Sequence, residues 1–181
     1  MNFKQTDLED CFIIEPRVFE DKRGYFYESF NYRLFENYLG SSINFVQDNE
    51  SFSQKGVLRG LHFQTGEFAQ AKLLRVIKGE VLDVVVDCRV NSKTFGQHVS
   101  VILNEDNKRQ LFVPRGFAHG FVTLSEVAIF AYKCDNYYNR NSEGGIIFND
   151  EELCIDWKLP KEELIISEKD LVLPTFKELQ I

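Results

Sequence analysis

Apolar and polar residues alternate with a period of two along most of the chain between Phe12 and Tyr132, the pattern of strands that bury one face. A first strand spans Phe12 to Phe19, broken by Pro16; Asp21 to Gly24 reads as a turn and Tyr25 to Phe30 as strand again. Helical spacing then takes over: Leu34, Phe35, Tyr38 and Leu39 share a face, with Asn31 placed to cap the helix and Gly40 to end it. Phe45 to Phe52 is extended, with polar residues between aromatics. From Val57, Leu58, Gly60, His62 and Gln64 alternate with Arg59, Leu61 and Phe63. After a polar loop, Thr65 to Gln70, Lys72, Leu74 and Val76 take one face of the next strand and Leu73 and Arg75 the other, predicting a central hairpin.

The same alternation marks Val81 to Val90, with Leu82, Val84, Val86 and Cys88 on one face, and His98 to Leu103. Leu111 to Val113, Phe121-Val122 and Val127 to Tyr132 follow, the last with Ala128, Phe130 and Tyr132 on a common face. Short turns separate these runs, and the tail from Glu151 is mixed, with a short helix predicted at Lys161 to Ile165. Many short strands with scarcely any helix between them indicate an antiparallel sandwich or barrel, mainly β. No repeat, linker or low-complexity stretch divides residues 1–181, so one domain is expected.

Composition sharpens this reading. A chain 44% hydrophobic and 27% charged is an ordinary soluble globular protein, and 17 Phe and 7 Tyr against one Met and one Trp favour sheet. No apolar run reaches the roughly 20 residues of a membrane span, and MNFKQTDLEDC lacks the basic and apolar regions of a signal peptide. A net charge of −7 argues against nucleic acid as the main partner. Arg23, Arg59 and Lys72 can still gather around an anionic small molecule. The four cysteines, Cys11, Cys88, Cys134 and Cys154, show no CxxC spacing and read as reduced, packed thiols of a cytoplasmic protein.

Two constellations carry chemistry. An imidazole (His62) and an ammonium (Lys72) on neighbouring strands can face one cavity. A base beside a fixed positive charge suits proton abstraction next to a carbonyl, because the charge stabilises the enolate oxygen. A core His beside a snorkelling Lys is the simpler reading of such a pair taken alone. Pro114-Arg115-Gly116-Phe117-Ala118-His119 has the PxGxxH spacing of the second cupin motif. A metal-binding cupin also needs HxH and a Glu in its first motif, but here Gln64 follows His62 and Lys72 stands about where the Glu would be. Too few ligands remain for a metal site, and no metal is expected.

The motifs DKRGYFYESF (Asp21 to Phe30), QDNESFSQKGVLRGLHFQ (Gln47 to Gln64), AQAKLLRVIKGEVLDVVVDCR (Ala69 to Arg89), VPRGFAHGF (Val113 to Phe121) and SEKD (Ser167 to Asp170) resemble, in order and at family-like length, those of the dTDP-4-dehydrorhamnose 3,5-epimerases. The resemblance implies a cupin-type double-stranded β-helix, or jelly roll, working without cofactor as a homodimer. The early strand, about residues 12–30, would be lent to the partner subunit. The implied substrate is a thymidine diphosphate 4-keto-6-deoxy sugar, epimerised at C3 and C5 on the route to dTDP-L-rhamnose.

By the same resemblance His62 is the base, Asp170 the partner of its other ring nitrogen, Lys72 the holder of the enolate oxygen, and Tyr132 the acid on the opposite face. Arg59 corresponds to the diphosphate ligand. Arg23, Glu28, Gln47 and Asn49 correspond to further substrate contacts, and so do His119, Glu143 and Lys169. Tyr138 matches the aromatic that stacks on thymine. Without the resemblance, Tyr132 reads as a core aromatic beside Phe130, Asp170 as a turn residue in a charged tail, and Arg23 and Glu28 as turn and solvated strand. His98 has no family counterpart and reads as a surface histidine. Strict alternation also sets Arg59 and His62 on opposite faces, so both reach one site only if Gly60 bends or bulges the strand. Two rival functions share the motifs: an epimerase acting at C3 only, and a silent cupin that binds a sugar nucleotide.

Overall fold

The computed structural model describes residues 1–179. Its strands are β1 (Asn2–Gln5), β2 (Phe12–Glu15), β3 (Phe19–Asp21), β4 (Gly24–Phe26), β5 (Gln47–Gln54), β6 (Val57–Gln64), β7 (Lys72–Lys78), β8 (Glu80–Asp87), β9 (His98–Asn104), β10 (Gln110–Val113), β11 (Phe117–Thr123), β12 (Val127–Cys134), β13 (Glu143–Gly145) and β14 (Ile165–Ile166). The helix α1 (Tyr32–Leu39) lies between β4 and β5. Asn31 Oδ1 caps it by accepting the Leu34 N–H, and Gly40, at φ +67°, ends it. No helix among the described residues is long and apolar enough to cross a membrane.

One sheet has the order β1-β2-β10-β7-β12-β5 and the other β13-β6-β11-β8-β9, with β14 parallel to one end of β6. Their inner faces share a core: Leu74, Val76, Leu111 and Phe130 of the first sheet meet Val81, Val85, Val101 and Phe121 of the second. Two sheets closed on one another in this way form the mainly β jelly roll that the resemblance implies, within the sandwich or barrel class that the alternation indicates. The outer face of the first sheet is covered by α1 through Phe35 against Phe12, Leu73 and Phe112. The outer face of the second is covered by the tail, where Ile146, Phe148, Trp157 and Phe176 pack on Leu58, Leu82 and Val84. Each fully buried side chain of this kind contributes roughly 1.5–3 kcal/mol.

Several expectations need correction. β6 and β7 are not a hairpin: they lie in different sheets, because Thr65 to Ala71, which includes a 3-10 turn at Gly66–Phe68, carries the chain across the barrel. The first predicted strand stops at Glu15 before Pro16, the second at Phe26, and β11 starts four residues before Phe121. The tail helix is a 3-10 turn at Lys161–Glu163, followed by β14. Cys11, Cys88 and Cys134 are buried, but Cys154 is exposed at a turn with φ +48°, its thiol bonded to the Glu151 carbonyl rather than packed.

Candidate active site

The deviation that builds the site lies in β6. His62 pairs with His119 and Arg59 with Phe121, so Gly60 and Leu61 oppose Gly120 alone. That is a bulge, and one extra residue reverses the alternation. Leu58 and Leu61 therefore both face the outer core, while Arg59 and His62 both line the cleft between the sheets. Gly60 has φ +124°, and a Cβ there would stand 2.5 Å from Gly120 Cα and 2.8 Å from the His119 carbonyl oxygen. Gly120 is equally confined, since its Cβ would stand 2.7 Å from the Arg59 carbonyl oxygen. The face conflict between Arg59 and His62 is thus resolved where the sequence allowed it.

The cleft, about 620 Å³, is bounded by β6 and β11 on one side and β5, β7 and β12 on the other. His62 and His119 come from the first side, Lys72, Tyr132 and Asn49 from the second, and Lys169 and Asp170 from the segment after β14. His62 Nε2 lies 2.7 Å from Asp170 Oδ1. Burial alone would raise the Asp170 pKa, but the hydrogen bonds from His62 and the Gly60 N–H and the His62 charge hold it below the ordinary carboxylate value. An ionised carboxylate can only accept, so Nε2 carries the imidazole proton and Nδ1 keeps its lone pair for the cleft.

Burial pulls the Lys72 ammonium below the usual lysine range, and the charges of Cys134, Asp83 and Glu143 act against that fall. Burial raises the Tyr132 phenol, which is therefore protonated at neutral pH. An adjoining pocket carries Gln47, Tyr138 and Glu143 beside His62 and Lys72. There Glu143 accepts from the Tyr138 hydroxyl at 3.0 Å and from Lys169 at 2.7 Å, which leaves the Tyr138 ring exposed. Gln47 donates to Asn49 and accepts the Tyr138 N–H. Arg59 Nε is steadied by the Ser53 hydroxyl at 3.2 Å.

Two expected site residues lie elsewhere in the chain. Arg23 is on the exposed β3–β4 ribbon, paired with Asp21 at 2.5 Å, and the exposed Glu28 accepts from Asn31. Neither lines the cleft. Among the described residues no three His, Cys, Asp or Glu side chains gather into a metal-binding group.

The profile of the dTDP-4-dehydrorhamnose 3,5-epimerases matches residues 5–178. This chain belongs to that family. It is an epimerase, an enzyme of the isomerase class. It is 56% identical to the dTDP-4-dehydrorhamnose 3,5-epimerase of Escherichia coli K12 over 99% of this chain and 96% of that protein. It is similar in structure to the crystallised family member of Elizabethkingia anophelis (TM-score 0.95, 57% identity, 98% and 97% of the two chains). The Legionella pneumophila epimerase, crystallised with dTDP-4-keto-L-rhamnose, is similar at TM-score 0.94 and 49% identity over 98% and 94% of the chains.

Two residues to which the motifs gave no role belong to the epimerase cavity or its frame. Asp83 is fully buried beside His119, with Oδ2 2.9 Å from Nε2. Its signal was available: Val81, Asp83 and Val85 share a face, and a carboxylate between two inward valines needs a reason. Gln64, where a second cupin histidine would stand, clasps the chain instead. It accepts the Asn139 N–H at 2.6 Å and donates to the Phe68 and Tyr137 carbonyls.

Proposed function

We propose that this epimerase inverts C3 and C5 of dTDP-4-dehydro-6-deoxy-D-glucose to give dTDP-4-dehydro-L-rhamnose, as a cytoplasmic homodimer and without a cofactor. One observation carries the reading: the Asp170-bound His62 stands on one sheet, and Tyr132 and Lys72 stand on the sheet facing it. A sugar ring held between them has a base on one side and an acid on the other, which inversion requires.

In this reading His62 Nδ1 takes the proton from the carbon next to the C4 ketone, and the electron pair moves onto O4. Lys72 holds that oxyanion. Tyr132 then gives its proton to the opposite face of the carbon while the C4 carbonyl re-forms. The tyrosinate regains a proton from water and the imidazolium loses one to it, so no net charge accumulates. Asp170 favours the imidazolium while it exists. A turn of the ring within the cleft brings the second carbon to the same pair.

Arg59, His119 and Lys169 surround the entering nucleotide, and a guanidinium forks onto diphosphate oxygens. The exposed Tyr138 ring offers a flat surface to thymine. The β3–β4 ribbon presents Phe19, Tyr25 and Phe26 to solvent, an apolar patch suited to a second copy of the chain. Lent to the partner, that early segment would bring Arg23 and Glu28 to the partner's cleft.

The direct test is His62→Ala. Turnover is expected to vanish while dTDP affinity, read by calorimetry, stays within a few-fold of wild type. Measurable turnover in the variant would remove His62 as the base.

A further inference from the structure

Of the buried carboxylates that this chemistry does not use, Asp83 alone among the described residues has an oxygen without a partner. Asp83 points from β8 into the space between the sheets, and its side chain is 0% exposed. Oδ2 is taken by His119 Nε2, but Oδ1 is buried with no hydrogen-bond partner among the described residues. A carboxylate taken from water with one oxygen unused is costly, and an apolar residue between Val81 and Val85 would avoid that cost.

The groups around it explain what the charge is for. Lys72 faces the cavity from β7, His119 from β11, His62 from β6, Tyr132 from β12, Asn49 from β5 and Glu143 from β13, with Cys134 beside Lys72. Of the other carboxylates there, Asp170 is committed to His62 and Glu143 to Lys169, while Glu50 is exposed to solvent at the edge of the cleft. Lys72 itself makes no ion pair within 4 Å among the described residues, and desolvation works against its charge. Among the described residues Asp83 is the buried carboxylate with an oxygen to spare.

We propose that Asp83 is a positioning residue for the epimerisation, its fixed negative charge keeping the Lys72 ammonium protonated inside the barrel while its other oxygen holds the His119 ring towards the cleft. This rests on the reading of Lys72 as the group that receives the enolate oxygen. Removing the negative charge lowers the pH at which the buried lysine loses its proton, because an opposite charge nearby favours the charged form by about one to three pH units. Asn matches Asp in shape, so Asp83→Asn removes the charge while leaving an amide oxygen to accept from His119.

The experiment compares wild type, Asp83→Asn and Lys72→Ala. It reads the pH dependence of kcat with dTDP-4-dehydro-6-deoxy-D-glucose, and the titration of Lys72 by NMR of 13C-labelled lysine in the free enzyme. In Asp83→Asn the alkaline limb and the Lys72 titration should move together to lower pH by about one unit or more, with kcat above the new limb down about tenfold per unit. Lys72→Ala should lose roughly 10²–10³ in rate and identify the lysine signal by its absence. A Lys72 titration at the same pH in Asp83→Asn and wild type overturns the proposal. If Lys72→Ala turns over normally, the reading of Lys72 fails, and the titration alone still decides whether Asp83 holds its charge. If Asp83→Asn does not fold, the carboxyl 13C shift of Asp83 in the wild type decides: an ionised group at neutral pH supports the proposal and a protonated one overturns it.

Discussion

Replacing Gly60 by Ala tests how the site is built. Gly60 has φ +124°, where a side chain is strained, and such backbone strain costs about 1–3 kcal/mol. The added Cβ would also stand 2.5 Å from Gly120 Cα and 2.8 Å from the His119 carbonyl oxygen. Both are backbone atoms of a paired strand and cannot swing aside as a side-chain tip would, so overpacking adds about 1–3 kcal/mol. Together these come to roughly 2–6 kcal/mol, out of a total stability of about 5–15 kcal/mol. Gly66→Ala is the matched control, since Gly66 also has positive φ (+62°) but a Cβ there meets nothing within 4 Å. It should cost only about 1–2 kcal/mol. The assay is urea unfolding at equal protein concentration, together with kcat of the folded enzyme. Gly60→Ala should lose several times the stability that Gly66→Ala loses, and lose activity out of proportion, because relaxing the bulge turns Arg59 or His62 out of the cleft. Equal stability losses with kcat intact would show that the bulge does not depend on glycine at that position.

Two further outcomes follow from the same geometry. Tyr132→Phe should still exchange the substrate's C–H with solvent, because His62 and Lys72 remain, but should fail to invert; loss of exchange along with inversion would contradict separate base and acid. Asp170, Asp87 and Glu143 are held below their ordinary values of 3.8, 3.8 and 4.5 by their hydrogen-bond partners. Their stabilisation is therefore present above those values and lost as the pH falls through the depressed ones. Asp83, raised by burial, acts in the opposite sense. Urea midpoints should decline below about pH 4.5 in the wild type and less steeply in Asp170→Asn, where an unchanged slope would deny Asp170 its share.

The sequence made the strands and the capped helix legible, because these depend on local pattern, whereas most of the cleft was legible only through the family resemblance. Asn31 and Gly40 bound the helix by their own side-chain and backbone chemistry, and Lys72, Leu74 and Val76 turned inward as their alternation required. What failed was long-range. Nothing in Thr65 to Ala71 says whether the loop folds β7 back on β6 or carries it to the other sheet, since both begin with the same polar turn. The bulge at Gly60 appeared only as a conflict between Arg59 and His62, and its place became clear once Gly120 was opposite it. Cys154 followed Leu153 in an apolar run, yet a left-handed turn set it in solvent. Asp83 was visible as a charge on an apolar face, but its partner, His119, is 36 residues away.

The most direct measurement is proton NMR of dTDP-4-dehydro-6-deoxy-D-glucose incubated with the enzyme in D₂O. Deuterium should enter at both C3 and C5, with the inverted L-sugar accumulating, if His62 and Tyr132 exchange protons with solvent across one ring. Deuterium at C3 alone would mean a single inversion, and deuterium at neither carbon would mean a protein that holds the sugar nucleotide without turning it over.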